Sequence, residues 1–232
     1  MSEWTSHPLF GVTMTVGAYA LSCWVRDRWF RPLNPLLAAS TVLIVFLLCT
    51  GIPYEDYNVG GSVVSFFLGP ATIALGTLIY KHWPLVRRRI AVILSGLTFG
   101  TVFGIGITAL LLCLFGGSRQ LLLSMLPKTV TSPVAVEIVS LIGGIPEMGA
   151  VFTVLTGLTG SVLGPALSRL AGIRSDIAVG TAFGTTSHGI GTARLLLESE
   201  IKGSISGFAM ACSAILTPII FVPIYWWLDL IS

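Results

Sequence analysis

Apolar residues run through this chain in long blocks, and short polar interruptions divide them into elements suited to a bilayer. Residues 9–25 form the first block, closed by Arg26, Arg28 and Arg31. The second, 33–52, opens on Asn34-Pro35 and ends at Pro53-Tyr54-Glu55-Asp56. The third, 61–80, contains Leu68-Gly69-Pro70-Ala71-Thr72. Pro70 lacks a backbone donor there, which predicts a kink. Residues 90–115 carry Gly100, Gly104 and Gly106, and residues 148–170 carry Gly160 and Gly164, small positions that let membrane helices approach closely. The last block, 203–230, ends in Tyr225-Trp226-Trp227, whose rings suit the headgroup level. A helical crossing needs about 20 apolar residues. Each of these blocks predicts a span, whereas 134–144 is too short for one.

Two clusters of small polar residues break this pattern. The first is Lys128-Thr129-Val130-Thr131-Ser132-Pro133, and the second is Gly184-Thr185-Thr186-Ser187-His188-Gly189-Ile190-Gly191-Thr192. Hydrocarbon leaves a bare amide or hydroxyl unsatisfied, so irregular backbone at membrane depth survives only inside protein or along a cavity. Paired interruptions in two half-structures point to a transporter's binding site. Close packing by Gly, Ser and Thr is the competing reading. His188 and Lys128 argue against packing alone, because ionisable groups are costly in a membrane and serve a function there.

Only 10% of the 232 residues are charged while 54% are hydrophobic. A soluble domain carries about 25% charge, so the chain reads as an all-α polytopic membrane protein. It has about six to eight membrane segments, two of them broken or re-entrant elements that meet at the midplane as an inverted repeat. No linker divides it, which predicts a single membrane domain over 1–232. The net charge of +3 reflects basic loops rather than a nucleic-acid partner. Those loops, 26–31, 81–89 and 169–174, are expected on the cytoplasmic side and the acidic 55–56 outside. Residues 169–174 fall inside only if 127–147 enters and leaves on the outer face as a re-entrant hairpin. Met1 to Pro8 lacks the basic region of a cleaved signal peptide, so the first block is expected to stay as a span. The four cysteines lie in apolar segments without metal-ligand spacing and read as small buried hydrophobes.

The clusters supply the candidate chemistry. In the second, Gly189 and Gly191 let backbone approach a ligand, and a helix beginning near Thr192 would aim its positive end at an anion. Thr186 and Ser187 add hydroxyls. His188 and Thr192 share a helical face, and His188 suits either a carboxylate contact or a coupling proton. A neutral packing histidine bonded to a carbonyl is the alternative. Arg194 is a further ligand candidate, with an i,i+4 pair to Glu198 as its alternative. In the first cluster Ser132-Pro133 breaks the helix, Thr129, Thr131 and Ser132 offer hydroxyls, and Lys128 offers charge. Glu137, flanked by apolar residues, is a second proton-coupling candidate or else a salt-bridge partner of Lys128 or Arg194. Glu147 reads as an interfacial turn residue. Nothing here resembles a nucleophile–base pair, a nucleotide loop or a metal site, so neither an enzyme, a metal nor a cofactor is expected.

Leu126-Pro127-Lys128-Thr129-Val130-Thr131-Ser132-Pro133, Ile142-Gly143-Gly144-Ile145-Pro146 and the run from Gly184 to Arg194 resemble the LrgB/CidB family. Asn34-Pro35-Leu36 and Leu68-Gly69-Pro70-Ala71 extend the resemblance over nearly the whole chain. Glu147-Met148 departs from it, where a small or aliphatic pair is expected. The resemblance implies a multi-pass protein of the bacterial inner (cytoplasmic) membrane with a separate LrgA/CidA-like partner. It also implies two different activities. One is holin- or antiholin-like regulation of murein hydrolase activity and lysis. The other is transport of small monocarboxylates such as glycolate, glycerate, pyruvate or lactate. A pore needs an amphipathic wall, whereas a carboxylate carrier needs positive ends, hydroxyls and a protonatable group at mid-depth. The sequence therefore favours the carrier, in lipid and as a homo-oligomer.

Overall fold

The structure is a computed structural model that describes residues 2–30 and 33–230. Arg31 lies outside the described residues, as do the side chains of Tyr225 and Trp227, while Trp226 is exposed. Helices make up the described chain: α1 (Ser2–Thr5), α2 (Pro8–Arg28), α3 (Pro35–Thr50), α4 (Tyr54–Phe66), α5 (Leu68–Lys81), α6 (Trp83–Arg88), α7 (Ile90–Leu114), α8 (Arg119–Met125), α9 (Ser132–Ile142), α10 (Pro146–Leu170), α11 (Asp176–Thr186), α12 (His188–Glu198) and α13 (Glu200–Leu230). Five stretches are long and apolar enough to cross a membrane: Pro8–Arg28, Tyr54–Lys81, Ile90–Leu114, Pro146–Leu170 and Glu200–Phe221. The expected all-α polytopic membrane architecture is therefore present.

By compactness the chain divides into two units, Met1–Ala74 and Leu75–Ser232. In the first, α2 crosses α4 at Gly11 and Gly60, where a Cβ on either glycine would strike the other's backbone. Thr15 and Tyr57 share a hydrogen bond of 2.8 Å beside this crossing. Asn34 caps α3, its Oδ1 accepting from the amides of Leu36 and Leu37, with Pro35 at the first helical position. The third span corrects two expectations. It begins at Tyr54, so Glu55 and Asp56 occupy a first helical turn, where acids suit the positive helix end. The interruption falls at Phe67, ahead of Pro70. Pro70 cannot donate to the Phe66 carbonyl and its ring would clash with it, so α4 stops there.

The second unit contains both broken elements, and each is a hairpin. Helix α9 has 11 residues, a rise of about 16 Å, half of a hydrocarbon core of about 30 Å. It ends at Gly143, whose φ of 81° reverses the chain. The Ile145 amide then donates to Ser124 Oγ on α8 at 2.8 Å, so the chain leaves where it came in. Helices α11 and α12 form the second hairpin along α13. Going up, Gly180 lies against Ile205, and Gly184 against Ser206 and Ala209; coming down, Gly189 lies beside Met210 and Leu196 beside Gly203. Both feet of this hairpin, Asp176 and Glu198, reach Lys202, each at 3.8 Å.

Helix α10 shows that the hairpins enter from opposite ends. In sequence order, its Gly149 abuts Val139 at the foot of the first hairpin, Gly157 and Gly160 abut His188 and Ser187, and Gly164 abuts Phe183 on α11. Helix α7 runs the other way, with Gly96 and Gly100 against Thr181 and Thr185, then Gly104 against Thr129. Small residues on both helices let the hairpin backbones approach, the packing device of membrane helices. Arg89 and Ser175 line one cavity, so the basic loops 81–89 and 169–174 share an end of this unit.

Candidate functional site

The tips of the two hairpins touch. His188 Nε2 lies 3.1 Å from the backbone carbonyl oxygen of Lys128. That ring is only 4% exposed, and its residue has φ 41°, a left-handed geometry costly for a side chain other than glycine. The break at Ser187 is one residue long, so α12 starts at His188. This corrects the expected start near Thr192, which lies a full turn inside the helix. The Thr192 hydroxyl donates to the His188 carbonyl at 2.7 Å and shares a 2.7 Å bond with Ser206 on α13. Gly191 is packed against Ser187 and Phe183. These two residues hold the hairpin in shape.

The Lys128 side chain turns away from its own carbonyl and donates from Nζ to Thr108 Oγ1 on α7 at 2.7 Å. The Thr129 hydroxyl next to it is buried without a hydrogen-bond partner. Thr131 and Ser132 are half-buried at the start of α9, where Pro133 takes the second helical position and needs no amide partner. A cavity of about 360 Å³ opens here, lined by Lys128, Met125, Phe152, Thr156, Thr159, Gly160 and Thr186. Thr156 and Thr186 donate to the Phe152 and Ala182 carbonyls, so Lys128 and Thr159 are the polar groups of this lining left with donor capacity, beside apolar walls.

Other candidates lie elsewhere. Arg194 is drawn to Glu198, Nε to Oε1 at 3.6 Å, and lines neither cavity. Glu137 is exposed, because Ala135, Ile138, Val139 and Ile142 take the buried face of α9. The expected salt bridges of Glu137 to Lys128 or Arg194 are not among the contacts of the described residues. Gly189 is exposed beside Met210. Glu147 stands exposed in the first turn of α10. Sequence reasoning missed Thr108, Thr156, Thr159 and Ser206. Each is one of several hydroxyls scattered along a largely apolar helix and carries no signal until the fold places it.

Fold and site define a multi-pass membrane protein whose second unit carries two opposed helical hairpins joined at their tips. The chain belongs to the LrgB-like family, whose match covers residues 15–228. It is 34% identical to an uncharacterized Bacillus subtilis protein, YxaC, over 94% of both chains. It is 37% identical to another from that organism, YwbG, over 79% of this chain and 82% of the relative. Holin-like protein CidB of Staphylococcus epidermidis is 30% identical over 90% of this chain and 92% of its own length. No solved structure matches.

Proposed function

We propose that this chain carries small monocarboxylates, such as glycolate, glycerate, pyruvate or lactate, across the bacterial inner membrane, alone or as the substrate-binding subunit of a pair. One observation supports the reading above the rest: the tip-to-tip contact of His188 with Lys128, beside a cavity into which the lysine faces. A carboxylate entering that cavity meets Lys128 and the Thr159 hydroxyl, with the buried Thr129 hydroxyl nearby. Opposed hairpins also supply a movable barrier, since each can be uncovered from its own side. His188 is the group placed to hold a coupling proton. Glu137 is the second candidate, acting away from this contact. The LrgA/CidA-like partner and a homo-oligomer belong to the same proposal.

The second reading is a holin-like or antiholin-like regulator of lysis. The holin-like name of the staphylococcal relatives supports it more directly than any relative's name supports the carrier. The two readings part in liposomes containing the purified chain, with and without an LrgA-like protein. Saturable flux of labelled pyruvate or glycolate, with a large dye retained, is the carrier's outcome. Unsaturable leakage of dye and carboxylate together overturns it in favour of the lesion-forming reading.

A further inference from the structure

Arg89 stands at the mouth of a second cavity. It measures about 520 Å³ and runs between α7 and α11, with Arg89 and Ser175 at one end and Thr186 at the other. Thr186 also lines the Lys128 cavity, so the two spaces adjoin at one residue. The walls between are poor at holding an anion. The hydroxyls of Thr181, Thr185 and Thr186 donate to carbonyls one turn earlier, at 2.8, 2.7 and 2.8 Å, which occupies their protons. The cations therefore sit at the two ends of the path, Arg89 at one and Lys128 at the other. Among the described residues Arg89 has no ion pair, and Asp176 beside the mouth is engaged by Lys202 at 3.8 Å.

We propose that Arg89 collects small carboxylates into a vestibule that leads past Thr186 to Lys128. The proposal rests on the carrier reading and adds the route by which substrate arrives. A cleft with low-dielectric walls and one sign of charge at its mouth focuses the field. That raises local counter-ion concentration and association rates by about ten- to a thousandfold. Arg89 is exposed, so the effect weakens as salt screens it. It acts on arrival and leaves the bound state alone.

The test is a thiol in the vestibule wall. In a background with Cys23, Cys49, Cys113 and Cys212 replaced, Ala182→Cys is placed in lipid nanodiscs, where both faces meet water. It is then treated with anionic and cationic methanethiosulfonates. We expect the anionic reagent to react faster. Arg89→Gln should shrink that preference at least about fivefold, Arg89→Lys should retain it, and high salt should erase it. Ala178→Cys, on the same wall, repeats the measurement where Ala182→Cys fails to fold. No reaction with either reagent would mean the groove holds lipid, and a preference indifferent to Arg89→Gln would place the collecting charge elsewhere; either overturns the proposal. Because the readout needs no transport, loss of carboxylate flux in liposomes would sink the carrier reading separately.

Discussion

His188 Nε2 and the Lys128 carbonyl oxygen, 3.1 Å apart, join the two hairpins at their tips. A carbonyl only accepts, so Nε2 carries a proton, and in the neutral ring Nδ1 is the lone-pair nitrogen. The contact uses only the backbone of Lys128; its ammonium is held separately by Thr108 on α7. Nε2 keeps its proton in the neutral and the protonated ring alike, so Nδ1 is the nitrogen left to exchange one.

His188→Ala removes this bond and should abolish carboxylate uptake in liposomes while the protein still purifies as a folded species. His188→Gln keeps a donor for the carbonyl but holds no proton for exchange. It should preserve thermal stability better than the alanine variant yet still lose any uptake driven by a pH gradient. Full proton-driven uptake by the glutamine variant would reduce the histidine to a structural tie.

Lys128 is held by Thr108, Nζ to Oγ1 at 2.7 Å. Thr108→Val leaves the charge in place but frees the chain that carries it. A lost hydrogen bond of about 0.5–1.5 kcal/mol corresponds to roughly a two- to twelvefold rise in KM with maximal rate little changed. Lys128→Gln should remove saturable uptake altogether. Equal behaviour of the two variants would show that the lysine anchors α7 and does not bind substrate.

The broken elements were legible in the sequence because polar runs inside hydrocarbon have few explanations, and the charge bias of the basic loops favoured a hairpin for the first of them. The bond that joins them was not legible. It uses the backbone of Lys128, and every residue type offers a carbonyl. Arg194 and Glu198, four apart on one helix, resolved to the plain local pair at 3.6 Å. For Glu137 the apolar flanks said nothing of its direction: helical periodicity turns position 137 away from the face made by Ala135, Ile138 and Ile142.

Gly160 and Gly184 test the close packing on which the second hairpin depends. A Cβ at Gly160 would overlap Ser187 Oγ, whereas one at Gly184 would overlap the backbone carbonyl of Ser206. Gly160→Ala should lower the melting temperature in detergent, and Ser187→Gly on top of it should recover most of the loss, since only side-chain atoms obstruct. Gly184→Ala should be the more damaging and should not be rescued by any change at Ser206. Rescue of the second, or failure to rescue the first, would contradict the placement of α11 against α10 and α13.

Thr192 and Ser206 share a buried bond of 2.7 Å. Thr192→Val strands the serine hydroxyl in an apolar setting at a cost of about 1–3 kcal/mol. The double variant Thr192→Val with Ser206→Ala removes both polar partners and should be closer to wild type than the single. Thermal unfolding of the four proteins measures the coupling. Additive losses would mean the two hydroxyls do not depend on each other.

The carrier proposal also requires movement. Thr186 lines both cavities, next to the residues that form the hairpin contact. A carboxylate drawn to Lys128 neutralises the charge that faces this junction, so closure around it is easiest with substrate bound, the condition that limits leakage in alternating access. The end carrying Arg87, Arg88 and Arg89 is anchored by charges that resist crossing a membrane. Single cysteines at Thr186 and Thr159, in the cysteine-free background, should therefore lose reactivity toward a small polar thiol reagent as pyruvate or glycolate is added, with half-protection near the transport KM. A cysteine at Trp83, outside both cavities, should react at the same rate throughout. Protection at all three positions would indicate a global change unrelated to the site. Protection at none, across every small carboxylate tried, would remove the main support for a carrier and shift the balance to the holin-like reading.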